Sequence, residues 1–279
     1  MQNLIDGKEY SNILLNKLKE KIKELKDKRL PKIVIIQVGN NLASNKYIKH
    51  KIKSVEKIGM LCDFKKLDEN ITQKDLLEII ENLNNDHIVD GIIVQLPLPN
   101  HIDSTVVNSV ISYKKDADGF NPITLGNVML GTSKIFPATP NGIIKLLEWK
   151  NVEIKGSNVV IIGRSNIVGK PLANMLINKS ATVTVCNTQT KNTANIAKKA
   201  DILISAAGCA NLVTSEFVNK NMTIIDVGAN FVDGKYCGDV NFNEVQDNVK
   251  LITPVPGGVG PMTIACLLEN VYELYLQNI

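Results

Sequence analysis

The sequence predicts an α/β fold built from two domains, each a parallel sheet covered by helices. Short apolar runs, typical of strands buried on both faces, alternate with longer stretches in which apolar residues recur at helical spacing. Such alternation is typical of parallel βαβ units. The apolar run at 159–162 also breaks into a loop bounded by Gly163 and Gly169, which precedes helix-forming sequence and divides the chain into unequal halves.

The first half of the chain shows two buried-strand patterns separated by helical patterns. In order, the predicted elements are a helix over about 10–25, a strand over 32–38, a helix over 44–58, an extended segment over 62–67, a helix from about 72, and a strand over 91–99. Thr72 is a suitable N-cap because Asp75 follows three residues later, in a variant of the capping box. Two prolines, Pro97 and Pro99, end the last strand.

The second half repeats the alternation after a segment, from 119 to about 138, that is predicted to be irregular. Thr139 and Pro140 then begin a helix with proline at its first position, and the domain boundary is placed there. The predicted elements beyond it are a strand over 158–162, a helix over 169–179, a strand over 182–186, a helix over about 192–199, and strands over 201–205 and 222–227. The segment 232–235, which contains Asp233 and Gly234, predicts a tight hairpin that is either a dimer contact or a solvent-exposed arm.

Composition limits the functional classes. The chain has 279 residues, 44% of them hydrophobic and 22% charged, as expected of a globular protein. Lysine and arginine number 32 against 28 acidic residues, a surplus too small to indicate nucleic-acid binding. The longest apolar runs fall well short of the roughly 20 residues that span a bilayer, so no membrane partner is expected.

Cysteine and histidine usage argues against a metal site. The five cysteines occur singly, without a C-x-x-C pair, which indicates neither a disulfide framework nor a zinc knuckle. The three histidines show no ligand-like spacing with acids or cysteines. We therefore expect a protein of the reducing cytoplasm that holds no metal.

The glycine-bounded loop indicates a dinucleotide site. It departs from the usual G-x-G-x-x-G pattern, because Ser165 stands at the second glycine position, but it follows a strand and precedes a helix. Some 20 residues later, where an enzyme that uses NAD places a carboxylate, the chain reads Asn187-Thr188. Without that carboxylate, and with Arg164 in the loop, a 2′-phosphate is favoured. NADP is the predicted cofactor and NAD the alternative.

A second set of residues indicates a catalytic site in the first half. Tyr47 and Lys51 are four residues apart on a predicted helix and so project from one face. The segments 94–99 (VQLPLP), 115–119 (KDADG) and 253–263 (TPVPGGVGPMT) accompany them, and the last is rich in proline and glycine, as expected of a rigid pocket wall. Together these segments resemble the bifunctional methylenetetrahydrofolate dehydrogenase/cyclohydrolase family, over about 38–270.

The resemblance implies an activity and a domain arrangement. The activity is oxidation of 5,10-methylenetetrahydrofolate to the 5,10-methenyl compound with NADP, followed by hydrolysis to 10-formyltetrahydrofolate. The arrangement is a catalytic domain over 1–140, completed by the C-terminal helix over 261–279, that faces a Rossmann-like domain over 141–260 across a cleft. A homodimer formed through the Rossmann-like domain is also expected.

The resemblance also assigns residues to roles. The implied catalytic residues are Tyr47, Lys51, Gln95 and Asp118: Tyr47 stacks on the folate ring system, Lys51 is the central catalytic group, Gln95 holds Lys51 by a hydrogen bond, and Asp118 accepts hydrogen bonds from the pterin. The implied folate-binding residues are Tyr47, Lys51, Leu96, Asp118, Gly260 and Pro261. The implied cofactor-binding residues are Gly163, Arg164, Ser165, Val168, Gly169, Thr188 and Ala229.

Three positions depart from the family pattern, and three rival functions are considered. Ala138 replaces a common cysteine, Asn187 replaces a histidine that would add positive charge near a 2′-phosphate, and Ala229 replaces a larger residue. A dehydrogenase without cyclohydrolase activity would be expected to lack Lys51 or Gln95, and both are present. An unrelated oxidoreductase of the shikimate dehydrogenase kind, or a non-catalytic nucleotide-binding regulator, would not need the catalytic set.

Overall fold

The structure is a computed structural model, and it describes residues 3–25, 28–232 and 234–279. The chain divides into two compact units, each containing one parallel sheet. The three-stranded unit comprises Ile13–Ala138 and Ile264–Ile279, and the five-stranded unit comprises Met1–Asn12 and Thr139–Thr263. The first residues of the chain therefore group with its second half.

The three-stranded unit is a parallel sheet of order β2-β1-β3 with helices between its strands. Its elements are β1 (Lys32–Val38), α2 (Leu42–Ile58), β2 (Leu61–Leu67), α3 (Gln73–Asn85), β3 (Gly91–Val94), α4 (Ser104–Val110) and α5 (Pro122–Leu130), together with most of α1 (Gly7–Lys23) and α10 (Val259–Gln277). The buried side chains of Val34, Ile36 and Ile92 pack against Leu76 and Ile80 of α3. This apolar layer fixes the sheet whose carboxyl edge carries the site described below.

The five-stranded unit is a second parallel sheet, of order β10-β7-β6-β4-β5, with a separate antiparallel hairpin. Its elements are α6 (Ala138–Trp149), β4 (Asn158–Ile162), α7 (Gly169–Asn178), β5 (Thr182–Cys186), α8 (Thr193–Ala197), β6 (Ile202–Ser205), β7 (Thr223–Asp226), the hairpin β8 (Asn230–Val232) and β9 (Lys235–Cys237), α9 (Phe242–Val245) and β10 (Leu251–Ile252). The strand order reverses between β4 and β6, which is where doubly wound sheets bind nucleotides.

The predicted α/β class and most predicted elements are confirmed. The Thr72 side chain accepts a hydrogen bond from the Asp75 backbone, as the capping pattern predicts. In the hairpin Phe231 pairs with Tyr236, whereas Asp233 of its predicted turn lies outside the described residues.

Three local predictions are wrong. The strand predicted over 91–99 is β3, which ends at Val94, and the Gln95 backbone makes the last hydrogen bond to β1, donating to the Ile36 carbonyl at 2.8 Å. The segment predicted to be irregular contains α5, which is capped by Asn121, whose side chain accepts from the Ile123 backbone N–H. The next helix begins at Ala138, so Pro140 is not its first residue. Among the described helices none is both long and apolar enough to cross a membrane.

Candidate functional site

The carboxyl edge of the three-stranded sheet gathers the predicted catalytic residues. The strand order reverses between β1 and β3, which marks that edge as the place where such a sheet binds a ligand. Gln95 directly follows β3, and Lys51 lies on α2, the helix that follows β1. The Ile92 backbone donates to the Lys115 carbonyl at 2.7 Å, so the next residues run beside β3 and bring Asp118 to the same edge.

Lys51 is buried, with 3% of its surface exposed, and it contacts two of the other predicted residues. Its Nζ donates to Gln95 Oε1 at 3.1 Å and lies 4.9 Å from the centre of the Tyr47 ring. The second contact follows from the four-residue spacing on α2, which places the two side chains on one face.

Gln95 is held in one orientation by the backbone next to it. Its Nε2 donates to the Leu96 carbonyl at 2.7 Å, which leaves Oε1 facing Lys51. The Ser44 hydroxyl also donates to the Leu96 carbonyl, at 3.3 Å. The amide therefore presents an acceptor to Lys51, while one of its two N–H donors is engaged by the Leu96 carbonyl.

The ionisation of Lys51 is shifted by burial. Removal from water lowers the pKa of Lys51, and the Asp118 carboxylate opposes that shift by favouring the protonated form. Burial correspondingly raises the pKa of Asp118, and Lys51 opposes this second shift. Lys51 thus loses its proton more readily than a lysine in water, so it can accept a proton from another group.

Asp116 fixes the loop that carries Asp118, a role that the sequence did not suggest. Its Oδ1 accepts from the Gly119 backbone at 3.0 Å and its Oδ2 from the Asn121 backbone at 2.7 Å. Burial raises the pKa of Asp116 to about 6, although these hydrogen bonds favour the carboxylate. Asn270 on α10 donates to the Ala117 carbonyl at 2.9 Å and secures the same loop. The KDADG motif at 115–119 is the feature of the sequence from which Asp116 could have been identified.

The predicted phosphate-binding loop lies at the carboxyl edge of the five-stranded sheet. Gly163 has a φ of +124°, and a Cβ there would overlap the Ala206 carbonyl oxygen. A Cβ on Gly169 would overlap the Gly163 carbonyl oxygen. Both glycines are therefore required for the loop to pack this closely against the turn after β6 and the start of α7.

The remaining predicted cofactor residues surround this loop. The Ser165 hydroxyl accepts from the Val168 and Gly169 backbones at 3.1 and 3.4 Å, and so caps the start of α7. Arg164 in the loop and Thr188 just after β5 are both exposed, and β4 and β5 are parallel neighbours, so both residues lie at the same edge. Guanidinium, hydroxyl and helix N-terminal groups are donors that fit the phosphates of a dinucleotide.

Three other predicted residues also belong to the five-stranded unit. Ala229 is exposed and follows β7, whose carboxyl end lies at the same edge. Gly260 and Pro261 lie in the first turn of α10, in the part of that helix assigned to the five-stranded unit.

Asp226 and Asp239, two buried carboxylates near this edge, carried no local sequence signal. Burial raises the pKa of Asp226 to about 6. Its Oδ1 accepts from the Asp239 backbone at 2.9 Å, so the two residues are directly linked. Among the described residues, no group of three or more His, Cys, Asp or Glu side chains could hold a metal ion.

Comparison with known proteins identifies relatives over the whole chain. The model of the tetrahydrofolate dehydrogenase/cyclohydrolase catalytic domain matches residues 5–118, and that of the NAD(P)-binding domain of the same family matches residues 137–279. The bifunctional protein FolD of Streptococcus thermophilus is 45% identical over 282 residues, which cover 100% of this chain and 99% of the relative.

Solved structures give the same result. The bifunctional FolD methylenetetrahydrofolate dehydrogenase/cyclohydrolase of Campylobacter jejuni superposes with a TM-score of 0.96 at 46% identity, covering 99% of both chains. The Trypanosoma brucei enzyme, solved as a complex with NADP cofactor and inhibitor, has a TM-score of 0.94 at 35% identity, covering 98% of this chain and 97% of that chain.

Proposed function

Because this chain belongs to the tetrahydrofolate dehydrogenase/cyclohydrolase family, we propose that it oxidises 5,10-methylenetetrahydrofolate with NADP and hydrolyses the 5,10-methenyl product to 10-formyltetrahydrofolate. The observation that carries the proposal is the buried Lys51, hydrogen-bonded to Gln95, stacked against Tyr47 and electrostatically coupled to Asp118. A protein that only binds nucleotides has no need of such a group.

Hydrolysis is the step that uses Lys51. Water must lose one proton as its oxygen bonds to the methenyl carbon. The bond from that carbon to N5 then breaks while the remaining hydroxyl proton passes to N5, which leaves the formyl group on N10. The lowered pKa of Lys51 gives it a larger neutral fraction, which can accept that proton. Gln95 holds Nζ in place through an amide whose own orientation is fixed by the Leu96 carbonyl.

Folate binding is assigned to residues around Lys51. The Tyr47 ring stacks on the folate ring system, and the Asp118 carboxylate accepts hydrogen bonds from the pterin amino and ring N–H groups. Asp118 is preorganised for this role because the hydrogen bonds of Asp116 fix its loop. Leu96, Gly260 and Pro261 are the remaining proposed folate-binding residues.

Oxidation requires positioning more than proton transfer. NADP, when bound, supplies the hydride acceptor, and the folate nitrogens stabilise the cation that forms. The residues of this chain therefore act by holding the methylene carbon close to the acceptor, without a protein base. This division predicts that changes at Lys51 reduce hydrolysis more than oxidation.

The dinucleotide is held by the loop after β4 and its neighbours. The proposed contacts are made by Gly163, Arg164, Ser165, Val168, Gly169, Thr188 and Ala229. The exposed Arg164 favours the 2′-phosphate of NADP, whereas the neutral amide of Asn187 contributes no charge and its oxygen already accepts from the Gln189 backbone at 3.0 Å. We therefore assign NADP as the preferred cofactor, with a preference carried mainly by Arg164.

We also propose that the protein forms a homodimer through the five-stranded unit. Its proposed location is the cytoplasm. The five cysteines, all of which lie among the described residues, form no disulfide, which suits a reducing compartment. Light scattering coupled to size-exclusion chromatography tests the assembly: a mass near twice 30.7 kDa supports it and a monomer mass contradicts it.

The function is tested by supplying purified protein with methylenetetrahydrofolate and either NADP or NAD. Reduced cofactor and 10-formyl product are followed separately, by absorbance and by chromatography. Both products, formed faster with NADP, support the proposal. Reduced cofactor with no enzyme-dependent acceleration of methenyl hydrolysis would indicate a dehydrogenase alone, and absence of turnover would indicate a regulator.

A further inference from the structure

We propose that Asp239 is a positioning residue for the dinucleotide: its buried carboxylate holds the turn at 206–209 and the start of the β8 hairpin in the arrangement that receives the cofactor. This inference rests on the proposed NADP-dependent function. Asp239 is not one of the proposed cofactor ligands and acts through the backbone around them, since three of the hydrogen bonds that its carboxylate accepts come from backbone N–H groups.

The Asp239 carboxylate is completely buried and accepts five hydrogen bonds from neutral donors. Its Oδ2 accepts from the Ala207 backbone at 2.7 Å, the Gly208 backbone at 3.2 Å and the Ser205 hydroxyl at 3.2 Å. Its Oδ1 accepts from the Cys209 backbone at 3.0 Å and from Asn230 Nδ2 at 2.9 Å. A carboxylate suits this environment because every partner is a donor.

The turn at 206–209 is part of the predicted cofactor edge. It follows β6 at the position where the strand order reverses, and the Ala206 backbone donates to the Ile162 carbonyl of β4 at 2.8 Å. The Ala206 carbonyl oxygen is the atom that a Cβ on Gly163 would overlap. The turn and the phosphate-binding loop are therefore packed together, and a shift of one displaces the other.

The same carboxylate secures the segment after β7. Asn230, which Asp239 binds, follows Ala229, a proposed cofactor contact. A Cβ on Gly228 would overlap the Asp239 backbone nitrogen, so these two stretches pack without space for a side chain. Asp226 fixes Asp239 in turn, accepting from its backbone at 2.9 Å and from the Val240 backbone at 3.0 Å.

The arrangement differs from an anion-binding nest that awaits a phosphate. Successive backbone N–H groups, such as those of 207–209, form a concavity that attracts anions. Here the Asp239 carboxylate already occupies that concavity, so these N–H groups bind Asp239 and are not available to bind a phosphate. Asp239→Asn places an amide NH₂ among donors and leaves fewer acceptors than donors. The turn at 206–209 and the start of the β8 hairpin are then held less tightly.

The test compares Asp239→Asn with Asn230→Ala, which removes one of the five hydrogen bonds. NADP binding is measured directly by isothermal titration calorimetry, together with KM for NADP, KM for the folate, kcat and the melting temperature. We expect Asp239→Asn to raise the Kd and KM for NADP by about tenfold or more, and Asn230→Ala by about three- to fivefold. KM for the folate should stay within about twofold of the parent value, because the folate residues around Lys51 lie in the other unit.

Asn219→Ala is the matched control. Asn219 Nδ2 donates to the Lys198 and Ala200 carbonyls at 2.8 and 3.2 Å, before β6 and therefore at the opposite edge of the same sheet. This variant should lose stability without a change in NADP binding. Unchanged NADP affinity in Asp239→Asn, or an equal loss in the control, overturns the inference. If Asp239→Asn does not fold, Asn230→Ala and Ser205→Ala decide by the same criteria, and failure of the parent protein to bind NADP would instead refute the proposed function.

Discussion

Replacing Gln95 with glutamate tests how the environment of Lys51 controls hydrolysis. The substitution keeps the length of the side chain and places a carboxylate where Oε1 now lies, 3.1 Å from Lys51 Nζ. At that distance two opposite charges attract by about 5 kcal/mol at an effective dielectric constant of 20. Close opposite charges in proteins change a pKa by about 1–3, so the pKa of Lys51 should rise by that amount.

A raised pKa keeps Lys51 protonated and removes its capacity to accept a proton. At a pH below the new pKa, each increase of the pKa by one lowers the neutral fraction of Lys51, and with it the cyclohydrolase rate, by about tenfold. We expect the midpoint of the rate against pH to move upward by about 1–3 on the pH scale, with a much smaller change in dehydrogenase rate. Stopped-flow absorbance of the methenyl compound, recorded across pH, measures the first quantity.

Two controls isolate the effect of charge at this position. Gln95→Met removes the acceptor without adding charge, so its hydrolysis should slow without an upward shift of the midpoint. Gln73→Glu adds the same charge at the start of α3, where the side chain accepts from the Asp103 backbone, and should leave the profile unchanged. If hydrolysis by Gln95→Glu is too slow to follow, pH-dependent acetylation of Lys51, read by peptide mass spectrometry, reports the same pKa. A midpoint equal to or below the parent value would refute the reasoning.

Three further predictions concern the two loops. Gly163→Ala forces a Cβ into the Ala206 carbonyl at a φ of +124°. It should lower the unfolding free energy measured by chemical denaturation by about 1–3 kcal/mol and weaken NADP binding measured by calorimetry. Unchanged stability would contradict the packing described. Arg164→Ala removes a charged donor and should raise KM for NADP by about 10- to 100-fold while KM for NAD changes little; equal changes would show that Arg164 does not read the 2′-phosphate. The pKa of Asp116 is raised from 3.8 to about 6, so the folded state binds the carboxyl proton more tightly than the unfolded state does. This proton therefore stabilises the fold at low pH, and the stabilisation is lost as pH rises from about 4 to about 6. Relative to Asp116→Asn, the parent protein should lose about 3 kcal/mol of unfolding free energy over that range, and parallel curves would contradict the assignment.

Structural features that depend on a short stretch of sequence could be predicted. The apolar runs that form β1 and β4 could be recognised from the sequence because a strand buried on both faces consists mainly of apolar residues. The four-residue spacing of Tyr47 and Lys51 is likewise sufficient to place both side chains on one helix face, where they are in contact. The family resemblance then supplied the partner Gln95, which periodicity alone could not connect to Lys51.

Other features depend on contacts that no local pattern contains. Asp239 contacts backbone groups about 30 residues earlier in the chain, and its own neighbours in sequence resemble an ordinary turn. The helix α5 was missed although Asn121 and Pro122 form a recognisable start and Gly131 a recognisable end. α4 was missed because a helix of seven residues, with a valine pair, has too few turns to establish a period.

The measurement that tests the central claim most directly is the separate determination of both activities in Lys51→Ala. The claim is that Lys51 serves proton transfer in hydrolysis, whereas oxidation depends on positioning. We predict that cyclohydrolase activity falls to the uncatalysed rate while dehydrogenase activity is reduced to a much smaller extent, in a variant whose circular dichroism matches that of the parent. Equal loss of both activities in that folded variant would contradict the claim.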